Sequence, residues 1–122
     1  MSNPVQAPLA VAYIRFLQLA RAVQSLPDGP GLDANESALL EAIVIHWHEG
    51  QPMTVREAIS LSTLGSPATL HKRITRLRGK DLLTTTSQEG DRRAKYLVPT
   101  GRALTYFGDL GRSLQSVAAS GA

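Results

Sequence analysis

Two helix-start signals separated by one glycine-containing turn constrain this chain more than any other feature. Thr54 and Glu57 form a capping pattern, a side-chain acceptor with an acid three residues on, and open a short helix with Val55, Ala58 and Ile59 turned inward. Ser62-Thr63-Leu64-Gly65 reads as the turn. Ser66 then supplies a second N-cap and Pro67 a first-turn proline. The helix that follows carries an inward stripe of Leu70, Ile74 and Leu77, and Gly79 marks its end. Two helices joined by a short turn of this kind make a helix-turn-helix, here over residues 54–80.

The flanking segments complete the pattern. Residues 1–8, with Pro4 and Pro8, read as a flexible tail. From Leu9 to Leu26 the chain is helical in pattern and apolar over much of its circumference, with Leu9, Tyr13, Phe16, Ala20 and Val23 in one stripe and Ile14 and Leu17 beside it. Such a helix needs cover on more than one side, and a dimer partner is one source of it. Pro27-Asp28-Gly29-Pro30-Gly31 breaks the chain. Asp33 and Glu36 cap a helix with the stripe Leu39, Leu40, Ile43, Val44 and Trp47, ended by Gly50-Gln51-Pro52. After Gly79 the period changes to that of a hairpin over residues 82–98, with Gly90 at a basic tip. Pro99-Thr100-Gly101 restarts a helix that fades near Ser116. The expected architecture is mainly α with a small β-hairpin wing: a winged helix-turn-helix, as one domain over residues 9–118. Residues 9–26 and 100–115 are its candidate dimerisation helices.

Composition bounds the chemistry. The 122 residues contain no cysteine, which removes disulfides, thiolate metal sites and thiol redox sensing. The N-terminal apolar stretch is interrupted by Arg15, Gln18 and Arg21, so it reads as neither signal peptide nor membrane span, and a cytoplasmic protein is expected. The net charge is +3, but it is unevenly spread. Residues 66–102 hold nine of the thirteen cations and three of the ten acids, a net +6 against −3 for the remainder. This asymmetry is the footprint of a nucleic-acid-binding face.

The helix over residues 66–79 concentrates the signal. With about 100° between successive residues, turning Leu70, Ile74 and Leu77 inward leaves Ala68, Thr69, Lys72, Thr75 and Arg76 on the opposite face, with His71 and Arg73 on the flanks. Small residues let a helix sit deep in the major groove, and Thr and Arg can bond base edges. Lys72, Arg73 and Arg92 are expected on phosphates, and Thr69, Thr75 and Arg76 on bases. Ser66 stands beside free amides that suit an anion. No acid occurs from Ser66 through Lys80, whereas an ordinary surface helix intersperses acids for solubility. In the wing, residues 88–95, Arg92, Arg93 and Lys95 can reach the adjacent minor groove or backbone. Asp91 is expected to orient Arg93 by a charge-assisted bond.

These stretches resemble the DNA-binding part of the MarR family of winged-helix regulators. The recognition helix of that family resembles Ser66-Pro-Ala-Thr-Leu-His-Lys-Arg-Ile-Thr-Arg-Leu77, and its wing resembles Gly90-Asp-Arg-Arg-Ala-Lys-Tyr-Leu-Val-Pro-Thr-Gly101. Asp91 and Arg93 fall on the family's Asp-x-Arg core, and Thr69, Lys72 and Arg76 on its groove-facing helix. The resemblance spans roughly residues 33–107. It implies a homodimer, a palindromic operator and, often, a small-molecule effector. The chain after the wing is shorter than in the family, so dimerisation would rest on the two terminal helices.

Other constellations are weaker. His46 and His48 lie about 200° apart on a helix and cannot share an ion, and no H-E-x-x-H spacing occurs. No nucleophile elbow or phosphate loop is present, so neither a metal, a cofactor nor an enzyme is expected. The competing reading is a winged helix used as a protein–protein or assembly module, because fold alone does not decide function. Such a module would present apolar anchors on the exposed helix face; here that face holds Thr69, Lys72, Thr75 and Arg76. A non-specific architectural role is separated from regulation by the ratio of specific to non-specific affinity. The reading favoured by the residues is a sequence-specific regulator of double-stranded DNA.

Overall fold

Seven elements form along the chain: helices α1 (Ala7–Gln24), α2 (Ala34–His48), α3 (Val55–Ala58) and α4 (Pro67–Gly79), strands β1 (Leu83–Gln88) and β2 (Asp91–Pro99), and helix α5 (Gly101–Ser120). The computed structural model describes residues 7–88 and 90–120, without the side chains of Asp91, Arg92 and Ser120. The chain divides into two compact units, residues 32–104 and residues 1–31 with 105–122.

In the unit of residues 32–104, side-chain caps start the helices where the sequence places them. The Asp33 amide donates to Glu36 Oε1 at 3.2 Å and the Glu36 amide to Asp33 Oδ1 at 2.7 Å, closing a capping box. Thr54 and Glu57 make the same reciprocal pair ahead of α3. Each box satisfies amides that a helix start would otherwise leave unpaired. The core behind them comes from Leu39, Leu40 and Ile43 of α2, Ala58 of α3, Leu70, Ile74 and Leu77 of α4, and Leu82, Leu83 and Leu97 around the hairpin. Each fully buried leucine contributes about 1.5–3 kcal/mol by leaving water. Glu36 is the one buried charge among the described residues. Lys80 Nζ stands 3.2 Å from its Oε2 and 3.3 Å from its Oε1, tying the start of α2 to the end of α4. Burial of a carboxylate is tolerable only with such partners.

α4 ends at Gly79, as its pattern suggests, and the residue in the left-handed region just beyond is Asp81, with φ of 58°. The Asp81 amide donates to the Arg78 carbonyl and the Leu82 amide to the Leu77 carbonyl. That is a Schellman closure, and the two residues it joins, Leu77 and Leu82, are both fully buried. α2 ends by the same pattern, with Gly50 at φ of 78° in the left-handed position and Gln51 donating to His46.

β1 and β2 pair antiparallel, with Leu83 opposite Pro99, Thr85 opposite Leu97 and Thr86 opposite Tyr96. The ladder is irregular between Thr86 and Gln88 and resumes with Gln88 opposite Asp91. Gly90, at φ of 91°, allows a tight turn there. β2 therefore starts at Asp91, earlier than the alternation from Ala94 suggests, and Arg92 and Arg93 belong to a strand rather than a loop. A further pairing escapes the sequence pattern: Leu97 donates to the Met53 carbonyl at 2.7 Å, and Thr54 bridges Tyr96.

The other unit holds α1 and most of α5. α1 starts at Ala7, inside the expected tail, because a proline in the first turn lacks only an amide that has no helical partner there. Residues 1–6 of that tail lie outside the described residues. No residue of α1 is buried. Leu9 is 75% exposed, Tyr13 62% and Ile14 53%, with Val11, Leu17 and Leu19 also exposed. α5 runs to Ser120, past the expected fade at Ser116. Ala118 and Ala119 favour the helix, and Val117 is buried.

A non-glycine residue in the left-handed region costs about 1–2 kcal/mol, less for Asp than for most. Asp81→Gly is therefore expected to stabilise the protein by about 0.5–1 kcal/mol and raise Tm by a few degrees in a thermal melt; a lower Tm would contradict the strain assignment. The capping boxes set an acid limit. The Glu36 amide, with a smaller contribution from Arg73, holds the Asp33 carboxyl below the usual range. The Thr54 amide and then its hydroxyl do the same for Glu57. A carboxylate lowered in the folded state contributes stability above its unfolded pKa, about 4, and loses it as pH falls through the lower folded value. Between about pH 5 and 2 the double variant Asp33→Asn with Glu57→Gln should lose less stability than wild type. Parallel acid titrations followed by circular dichroism check this, and an equal or greater loss in the variant would rule it out.

Candidate nucleic-acid interface

α4 is presented by burying one narrow stripe. Leu70, Ile74 and Leu77 face the core, while Ala68, Thr69, His71, Lys72, Thr75, Arg76 and Arg78 are exposed. At its start, Ser66 Oγ accepts from the Thr69 amide at 3.3 Å and donates to Thr69 Oγ1 at 2.9 Å. No acid occupies the first turn, and Arg76 and Arg78 occupy the last. The cations complement the negative end of the helix dipole, and the positive end remains uncompensated and receptive to an anion.

The sequence-derived site residues do not all present their chemistry outward. Lys72 and Arg76 are exposed and no described residue pairs with them. Thr75 spends its donor on the His71 carbonyl at 3.0 Å, one turn back. What it offers outward is its methyl group and its oxygen as acceptor. Arg73 stands on the flank of the helix, where its side chain turns back along the fold. Its side chain is half-buried, and Nη1 donates to the Leu64 carbonyl at 2.9 Å. Ala68 is exposed beside Thr69, which leaves the first turns of α4 open to close approach.

In the wing, Arg93 and Lys95 are both exposed on β2. Lys95 Nζ donates across the hairpin to Ser87 Oγ at 3.1 Å. The side chains of Asp91 and Arg92 lie outside the described residues, and with them the expected Asp91–Arg93 bond.

Sequence reasoning missed the residues that hold the far end of α4. Thr100 Oγ1 donates to the Asp81 carbonyl at 2.6 Å and accepts from the Ala103 amide at 3.1 Å, so one hydroxyl caps α5 and grips the residue after α4. Arg102 Nη1 donates to the Lys80 carbonyl. Lys80, counted with the basic stretch, is paired with Glu36. Thr100 before a helical pattern was the only local signal for this cluster; its partners are long-range.

Among the described residues no three His, Cys, Asp or Glu side chains cluster as metal ligands. No described helix is long and apolar enough to cross a membrane.

No protein-family model matches the sequence, and no curated protein is recognisably similar to it. Solved structures are similar in fold. A transcriptional regulator from Thermotoga maritima superposes with a TM-score of 0.63 at 16% identity, over 94% of this chain and 72% of its own. A MepR variant from Staphylococcus aureus, bound to an oligodeoxyribonucleotide, gives 0.64 at 12% identity, over 98% and 82%. MarR from the same organism, in complex with salicylate and kanamycin, gives 0.56 at 20% identity, over 91% and 69%. At these identities the likeness is one of fold: the chain is a winged helix of the type seen in MarR-family regulators.

Proposed function

We propose that this chain is a sequence-specific regulator of transcription that binds double-stranded DNA, with α4 in the major groove and residues 88–95 on the adjacent minor groove or backbone. The observation that carries this reading is the exposed, acid-free face of α4, where Lys72 and Arg76 have no described partner beside the small Ala68. Similarity in fold to a MepR structure that holds an oligodeoxyribonucleotide supports it. In this reading Arg76 and Thr69 contact base edges, and Thr75 offers its methyl to a thymine methyl and its oxygen to a base donor. Lys72, Arg92, Arg93 and Lys95 serve phosphates, and Ser66 brings a phosphate to the helix start. The same face lacks the aromatic or apolar anchors that a protein-docking module would use.

The reading includes a homodimer. α1 exposes large apolar side chains around much of its circumference, with Leu9, Tyr13, Ile14 and Leu17 on one broad face and Val11 and Leu19 on the other side, and Leu114 of α5 is exposed as well. Exposed apolar surface of this extent marks an interface, and a second copy supplies a matching face. Two recognition helices would then meet half-sites about 10 bp apart. Salicylate, bound in the S. aureus MarR structure, is the first compound to try as an effector of DNA binding.

The experiment is a titration of a duplex bearing the protein's own upstream region against a scrambled duplex, from about 50 to 200 mM salt. Tight, salt-steep binding that prefers the upstream duplex is expected; no binding at the lowest salt would sink the reading. Arg76→Ala should relax sequence preference by about 1–3 kcal/mol at one position, and Lys72→Ala should weaken all duplexes alike and lower the salt slope by about one. Equal losses on both duplexes for both variants would refute this division of roles. For the dimer, sedimentation equilibrium should give twice the 13.1 kDa chain mass. Tyr13→Glu with Leu17→Glu should halve it and weaken operator binding, whereas a wild-type monomer at micromolar concentration would remove the dimer from the proposal.

A further inference from the structure

Arg73 is set apart from the other cations of α4. Lys72, Arg76 and Arg78 are exposed; Arg73 is half-buried. Its Nη1 reaches back nine residues to the Leu64 carbonyl at 2.9 Å, from α4 into the turn that joins α3 to α4. A carbonyl in a connecting turn has no helical partner and must find one elsewhere; this guanidinium supplies it. The neighbouring residue leaves room for the contact. A Cβ on Gly65 would stand 3.2 Å from Arg73 Nη1 and 3.5 Å from Leu70 Cδ2, and the φ of 151° there is one L side chains rarely adopt. Arg73 also lies close enough to the α2 N-cap, Asp33, to act on its charge. The bond therefore closes a loop over residues 64–73 that contains Ser66, Ala68 and Thr69, the end of α4 that would enter a groove first.

We propose that Arg73 is a positioning residue for DNA reading: it does not neutralise a phosphate but splints the α3–α4 turn, with Gly65 as the gap that admits it, and so sets the angle at which α4 presents Thr69, Lys72 and Arg76. The inference rests on the DNA-binding reading above. An arginine serves this role where a lysine does not, because its planar fork is pre-organised and directional, while an ammonium on a flexible stem is not.

The probe is a duplex enriched from a random pool by the wild-type protein, with a scrambled duplex as reference. Three variants are compared with wild type: Arg73→Lys, Arg73→Gln and, as the phosphate reference, Lys72→Gln. Lys72→Gln should lower the salt slope by about one and keep the preference for the enriched duplex. Both Arg73 variants should keep the wild-type slope and lose about tenfold in preference, since a misaimed helix loses base contacts before phosphate contacts. A slope lowered by about one in Arg73→Gln, with Arg73→Lys behaving as wild type, would identify a phosphate contact and overturn the proposal. Unchanged preference in both would overturn it too. Amide hydrogen exchange of the free protein adds a readout that needs no DNA. The Leu64 amide, bonded to Leu61 at 2.9 Å, should exchange about tenfold faster in both Arg73 variants if the turn is released. Unchanged exchange would dispose of the splint whatever the duplexes show. Failure of the wild type to enrich any duplex would instead strike the DNA reading, leaving exchange to decide whether the splint exists.

Discussion

The burial of three side chains on one helix is the constraint from which the rest of this unit follows. Leu70, Ile74 and Leu77 are spaced so that they occupy a single stripe of α4, and all three are excluded from water against α2, α3 and the hairpin. Once that stripe is turned inward, geometry leaves no choice about the remainder: Ala68, Thr69, Lys72, Thr75 and Arg76 must face out. The hydrophobic effect thus orients a polar surface it does not itself contain. Function in this chain is a by-product of how narrowly the apolar residues are drawn.

Packing fixes the rotation of α4 about its axis, and hydrogen bonds fix its ends. At the start are the Ser66 cap and the Arg73–Leu64 bond. At the finish, the Leu77–Leu82 closure is backed by Thr100 on Asp81, Arg102 on Lys80, and Lys80 on the buried Glu36. Each bond alone contributes about 0.5–1.5 kcal/mol net. Set at both ends of one short helix, they resist tilting, which non-directional burial does little to oppose.

The sequence made the order of elements legible because helix starts are local events. Asp33 with Glu36, Thr54 with Glu57 and Ser66 with Pro67 each act within one turn of chain, and each cap stands where the pattern puts it. What could not be read is long-range. Arg73 sits on a flank of the helical wheel, where exposure and burial differ by a few degrees, and its partner is a backbone carbonyl that no side-chain pattern advertises. Gly79 ends α4 as its pattern suggests, but the left-handed turn that follows falls on Asp81, which no local pattern marks. The early start of β2 and the bridge from Thr54 to Tyr96 depend on strand pairing across the fold. The exposed face of α4 was readable because it needs only periodicity. The grip of Thr100 and Arg102 was not, because it needs the return of the chain after the hairpin.

The wing has a second consequence. It is a sheet of two strands, and a sheet so small is nearly all edge. Beyond the bridge at Thr54, no described strand covers the outer side of β2. Open edges invite pairing with another chain, and charged side chains are among the commonest means of preventing it. Arg93 and Lys95 stand exposed on that strand. By that general rule the same cations proposed to rest on phosphates would also discourage one wing from zipping onto another, so neutralising them for a binding study would put the edge at risk along with a contact.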